Sequence, residues 1–103
     1  MKSNGLIRME NDAKVHISGE MTFSSTPGLY QEFENSFQSM GPEIEIDLGE
    51  VERADSSGLA LLLEWQALAT QQQRKLKFTN AADNLLKLAR LCEADTLLDI
   101  SAR

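Results

Sequence analysis

Cysteine is almost missing from this chain. Cys92 stands alone among 103 residues, so no internal disulfide can form, a usage that fits a reducing compartment. Histidine is as scarce, with His16 the only one. One His and one Cys argue against a dedicated zinc site. Long hydrophobic runs are absent too: the longest, Leu59 to Leu63, is far short of the roughly 20 residues of a membrane-spanning helix. The opening stretch "MKSNGLIRMENDAK" has no apolar segment of signal-peptide length. Positive charge is in deficit, with ten Lys and Arg against sixteen Asp and Glu and a net charge of −6. A phosphate-backbone binder needs basic side chains to displace counterions, so nucleic acid is disfavoured as a partner. Direct contact with an anionic membrane is disfavoured on the same ground. These absences predict a soluble cytoplasmic domain without membrane insertion, metal or cofactor.

What is present is an ordinary folded composition. Hydrophobic residues make up 42% and charged residues 25%, enough apolar material for one core. The length predicts a single domain over residues 1–103. "GLIRM" and "KVHIS" read as two strands joined through "ENDA", with Val15 and Ile17 facing opposite to Lys14, His16 and Ser18. In "STPGLYQEFENSFQSMG", Leu29, Phe33, Phe37 and Met40 form one stripe at helical period. Ser25 or Thr26 is placed to cap that helix, Pro27 suits its first turn, and Gly41-Pro42 ends it. "EIEIDL" alternates as a strand and a short polar turn follows it. A helix is expected from about Ser57 to Gln72, then a strand in "KLKFT". A third helix in "AADNLLKLARLC" turns Leu85, Leu88, Ala89 and Cys92 inward, and "DTLLDIS" supplies a short apolar tail segment. The order β-β-α-β-α-β-α predicts an α/β domain, a small mixed sheet covered by helices.

The stretch that invites a chemical reading is "RADSSGLALLLEW", Arg53 to Trp65. A serine beside an aspartate suggests nucleophilic catalysis, but an activated serine needs a base within hydrogen-bond reach. His16, the one imidazole, lies mid-strand at a position expected to be solvated surface. No Gly-x-Ser-x-Gly elbow exists, since Ser56 lies between Asp55 and Ser57. Asp47, Glu50, Glu52 and Asp55 match no calcium loop and read as a solvated acidic rim. The glycine pattern and Lys-Ser/Thr of a phosphate-binding loop are also absent. No catalytic residue is assigned.

What remains is position. Asp55 or Ser56 is placed to cap the following helix through its unpaired N–H groups. A hydroxyl at that corner is exposed, and a phosphate added to it would meet the positive end of the helix dipole and the acidic rim. Gly58 suits a crowded corner. The helix is apolar over most of its girth, with only the strip Ala60, Glu64, Ala67 and Gln71 small or polar. Either the sheet and neighbouring helices cover the rest, or its N-terminal end docks on another protein through Ala60.

"EIEIDLGEVERADSSGLALLL" resembles the signature of the STAS domain, the fold of bacterial anti-sigma-factor antagonists. In that signature an apolar strand ends in Asp-Leu, and Asp-Ser-Ser/Thr-Gly-Leu then enters a helix. Asp47, Leu48, Asp55, Ser56, Gly58 and Leu59 occupy its positions, and "HISGEMTF" corresponds to the second strand and its corner. "GEMTFSSTPGLY", "DSSGLALLLEW" and "FTNAADNLLKLARLCEADTLL" are together most similar to the STAS subunit of Mla phospholipid-transport systems. That resemblance implies a non-catalytic subunit bound to the ATPase of an ABC transporter, within an ATPase–permease complex. Such a transporter moves phospholipid between the two membranes of Gram-negative bacteria and maintains outer-membrane lipid asymmetry. The subunit would be cytoplasmic, peripheral to the inner membrane through its partner, and would support ATPase assembly or activity. The alternative is an anti-sigma factor antagonist, in which a partner kinase phosphorylates the residue aligned with Ser56. Antagonists commonly carry Asp where this chain has Thr22, and Thr22-Phe23 resembles the Mla variant. In both cases the expected docking residues are Asp55, Ser56, Ser57, Gly58 and Ala60, with Ser56 the candidate phosphosite.

Overall fold

Strict alternation of apolar and polar residues builds the sheet. In the computed structural model, which describes residues 6–103, five strands form: β1 Leu6–Asn11, β2 Lys14–Met21, β3 Glu43–Ala54, β4 Lys75–Ala81 and β5 Ile100–Ala102. Their spatial order is β1-β2-β3-β4-β5. β1 and β2 make the antiparallel hairpin, and every other neighbour pair is parallel. The expected order is therefore observed, with "DTLLDIS" adding a 3-10 turn at Ala94–Thr96 and the short β5. Gly5, expected to open the first strand, lies outside the described residues, as do residues 1–4.

Three helices bridge the parallel strands: α1 Thr26–Phe37, α2 Ser56–Gln71 and α3 Asp83–Leu91. All three pack their apolar stripes against one face of the sheet, where Val15, Ile17, Ile44, Ile46, Leu76 and Phe78 lie buried. Trp65 of α2 is the centre of that core, its ring 4.4 Å from Phe33 of α1. Burying an aromatic of this size stabilises by several kcal/mol; truncation to Ala typically costs about 3–5 kcal/mol. The other sheet face carries Lys14, His16, Ser18, Glu45, Asp47 and Thr79 and has no helix over it; these residues are half-buried. One covered face and one polar face match the alternation of the strands.

Local details depart from the sequence-based expectation in instructive ways. Neither Ser25 nor Thr26 caps α1 through its side chain. The buried Ser25 hydroxyl instead accepts from the Thr22 N–H at 2.8 Å and donates to the Glu20 carbonyl at 2.7 Å, stapling the turn between β2 and α1. α1 ends at Phe37, before Gly41-Pro42, because Ser39 and Met40 close tighter turns onto Ser36 and Phe37. In α3 the buried positions are Leu85, Leu86 and Ala89, while Leu88 is half-buried and Cys92 exposed beyond the last turn. The expected polar turn after "EIEIDL" does not exist. "GEVERA" continues β3, with irregular register against β2 near Ser18 and Gly19. This longer strand delivers residue 55 to the far end of the sheet, beside the end of β2.

Candidate functional site

At that end the chain turns from β3 into α2 within a single residue. Asp55 has extended backbone and is the N-cap, the resolution of the Asp55-or-Ser56 alternative. Its Oδ1 accepts from the Ser57 N–H at 2.8 Å and from the Gly58 N–H at 3.2 Å. Its Oδ2 accepts from the Phe23 N–H at 3.2 Å, across the corner in the turn before α1. One carboxylate thus ties two separate segments together. The Asp55 N–H donates to the Met21 carbonyl, adding a backbone tie to the end of β2.

Gly58 sits beneath this corner and is buried. A Cβ there would lie 2.9 Å from the Met21 Cβ and collide with the Met21 carbonyl oxygen. Only glycine lets the first turn of α2 pack this closely on β2. Gly58 is therefore buried packing under the corner and not part of the exposed surface.

Because Asp55 does the capping, the Ser56 side chain has no such task. Ser56 is exposed in the first turn of α2, and its hydroxyl makes no hydrogen bond among the described residues. Ser57 is half-buried and Ala60 exposed. Ser57 and Ala60 line an apolar groove of 470 Å3 between α1 and α2, with Phe23, Pro27, Tyr30 and Leu61 across and beneath them and Glu64 on its rim. The exposed strip of α2 is the expected one, Ala60, Glu64, Ala67 and Gln71, and its inner residues, from Leu59 to Ala69, are buried in the domain's own core.

Phe23 is the residue that sequence reasoning missed as part of the site. Its ring is 80% exposed, an expensive placement for a large aromatic and one characteristic of interaction surfaces. The signal in the sequence was an aromatic standing in a polar turn, "TFSST", where no helix or strand period claims it.

The polar residues expected to form an acidic rim do not gather at this corner. Glu50 and Glu52 are exposed along the extension of β3. Asp47 lies on the open sheet face with its side chain only 12% exposed. It accepts from the Gly49 N–H at 2.8 Å and from Asn80 Nδ2 at 3.0 Å. Burial pushes its pKa up, but these hydrogen bonds, with His16 and Lys14 nearby, outweigh that and hold it below the ordinary aspartate value.

His16 is likewise not solvated surface. Its side chain is 14% exposed, with Nε2 donating to Glu10 at 2.6 Å and Nδ1 3.7 Å from Asp47. The reason is cross-strand packing: β1 and β3 flank β2 and bring a carboxylate to each side of the ring. The hydrogen bond from His16, chiefly, holds Glu10 below its usual range. His16 and Ser56 are not hydrogen-bonded to one another, so no serine–histidine pair exists among the described residues. No described helix is long and apolar enough to cross a membrane.

A family model described as "Mlab, STAS domain" matches residues 6–99. The anti-sigma-B factor antagonist of Bacillus subtilis is 30% identical over 94 residues, which is 91% of this chain and 85% of that relative. An anti-sigma factor antagonist from Mycobacterium paratuberculosis superposes with a TM-score of 0.74 at 19% identity, covering 100% of this chain and 92% of the other. The Bacillus cell fate determinant SpoIIAA in its phosphorylated form superposes with a TM-score of 0.68 at 16% identity, covering 96% and 92%. With the strand–Asp–Ser–Ser–Gly–helix corner in place and nearly the whole chain matched, this protein belongs to the STAS domain family.

Proposed function

We propose that the chain is a non-catalytic recognition domain of the anti-sigma factor antagonist type, which docks on a protein partner through the Ser56 corner and is switched by phosphorylation of Ser56. The observation that carries this reading is the state of the Ser56 hydroxyl: exposed, unused by the cap, and at the electropositive start of a helix. Beside it, Phe23 and the apolar groove between α1 and α2 supply the buried part of an interface, and Ser57, Ala60 and Glu64 its rim, with Asp55 bonded to the Phe23 N–H next to them. Gly58 contributes by setting the corner's shape. A relative of 30% identity named for antagonism of an anti-sigma factor supports the reading, as does a fold relative whose phosphorylated form has been solved. The partner is then an anti-sigma factor kinase. Incubation with such a kinase and ATP should add one phosphate by intact mass, and Ser56→Ala should abolish the gain. Absence of any gain beside a working positive control eliminates the switch.

A second reading places the same corner on the ATPase of an ABC transporter for phospholipid, with the domain held at the inner membrane through that ATPase–permease complex. Two points favour it: the matching family model is that of an Mlab STAS domain, and the buried Thr22, with Phe23, resembles the Mla variant of the β2–α1 turn. Stoichiometric co-purification with an ATPase and permease is the expected result, and Ser56→Trp should break the complex. If that substitution leaves the complex intact, the interface lies elsewhere.

A further inference from the structure

The Ser56 corner and the Phe23 turn share one carboxylate, and this has a regulatory consequence. The Phe23 N–H has the Asp55 Oδ2 as its hydrogen-bond acceptor, while Oδ1 of the same group holds the Ser57 and Gly58 N–H groups. Phe23, Thr26, Pro27 and Tyr30 form one wall of the apolar groove; Ser57, Ala60, Leu61 and Glu64 form the other. Asp55 is therefore a tie across the top of the groove, from the α2 wall to the turn that carries Phe23. On the α1 side, Ser25 holds the Thr22 N–H, so the turn is anchored up to Thr22 and reaches α2 at Phe23.

We infer that Asp55 transmits the charge state of Ser56 to the groove: a phosphate on Ser56 displaces the Asp55 carboxylate and frees the turn bearing Phe23. The inference rests on the proposed switch at Ser56 and adds the route by which it acts. A phosphoserine carries nearly two negative charges and three strong acceptor oxygens. Placed on the residue next to Asp55, it repels that carboxylate and competes for the same N–H groups. The cap survives the exchange, because the phosphate replaces one anion with another at the helix start. The Phe23 N–H lies across the corner on a separate segment, so the bond to Phe23 is the one lost. The buried contacts of Gly58 with Met21 keep α2 seated, and the change is confined to the turn. Phosphorylation then alters the apolar wall a partner reads, beyond adding charge beside it.

The test needs no partner and no kinase. Phosphoserine is installed at position 56 during synthesis of the full chain, and backbone amide exchange is followed by NMR. Exchange at Phe23 should accelerate by about tenfold on phosphorylation, the size expected for loss of one modest hydrogen bond. The Ser57 and Gly58 amides should stay protected. In Asp55→Asn the amide oxygen still caps α2 but the Nδ2 group cannot accept from the Phe23 N–H, so the tie is already absent: Phe23 should exchange fast before phosphorylation and change less than twofold on it. Unchanged exchange at Phe23 in the phosphorylated wild type overturns the relay, as does an equal acceleration in both backgrounds. Either result leaves the kinase and co-purification experiments untouched, so failure of the relay is distinguishable from failure of the switch.

Discussion

Two regions of this small domain concentrate polar groups, and they are built on opposite plans. On the open sheet face, Glu10, Lys14, His16, Glu45, Asp47, Thr79 and Asn80 satisfy one another. Thr79 donates to Glu45 at 2.7 Å, Asn80 to Asp47, and His16 to Glu10. Asn80 adopts left-handed backbone, with φ 58°, at the end of β4, a conformation that Asn tolerates better than most residues. At the corner, Asp55 is fully used, but the adjacent Ser56 hydroxyl is not, and the neighbouring aromatic faces solvent. A network closed upon itself stabilises the sheet face and has little left to offer a ligand. An unused hydroxyl beside an uncovered apolar groove is the arrangement that gains from a partner. The titratable cluster that looks most like chemistry is thus architectural, and the proposed recognition falls to the plainer serine.

The contrast can be attacked by substitution, beginning with the packing beneath the corner. Gly58→Val drives a branched side chain into the Met21 backbone and should cost about 3 kcal/mol or more. Urea denaturation reads this directly, and an unchanged midpoint would mean that α2 does not seat on β2 as described. Next comes the closed network. Asp47→Ala strands the Asn80 amide and the Gly49 N–H and should cost about 2 kcal/mol, against about 1 kcal/mol for removal of the Asp55 cap in Asp55→Ala. A reversed order of these two losses would show that the open face is less tightly satisfied than the corner.

Asp47 also contributes to the acid limb of stability. Asp47 is held below its ordinary value when folded, so its contribution is present above about pH 4 and disappears as pH falls through the lower folded value. Wild type should therefore lose stability more steeply than Asp47→Asn as pH falls below about 4. Parallel profiles in denaturant titrations would remove Asp47 from the account. The smallest effect on folding is expected at the proposed switch residue. Ser56→Ala should change stability by less than about 0.5 kcal/mol, since its hydroxyl makes no hydrogen bond among the described residues, while phosphate incorporation is abolished. A loss well above that value in thermal or chemical unfolding would reveal a structural task for Ser56.

Much of this architecture was legible before any coordinate. Val15 and Ile17, Ile44 and Ile46, and Leu76 and Phe78 alternate cleanly because each strand meets helices on only one face. The exposed strip of α2 was readable because Ala60, Glu64, Ala67 and Gln71 recur at helical spacing along an otherwise apolar rod. Asp55 was among the cap candidates because short acceptors at helix starts have a local reason to be there. The extension of β3 through "GEVERA" was not legible: two glutamates, an arginine and a glycine look like a turn. They are extended only because β2 lies alongside to pair with them. Nor could spacing show that His16 is clasped between Glu10 and Asp47, which requires the order of the strands.

Local periodicity and local capping were enough to set the elements, and with them the strand–Asp–Ser–Ser–Gly–helix corner that carries the family resemblance. Which polar groups are satisfied among the described residues, and which are not, follows from how distant segments pack. That distinction depends on partners far apart in the chain, such as Asp55 with Phe23 and Asp47 with Asn80. Hydrogen bonds reach only about 3 Å, so such pairings exist only once the sheet has brought the segments together.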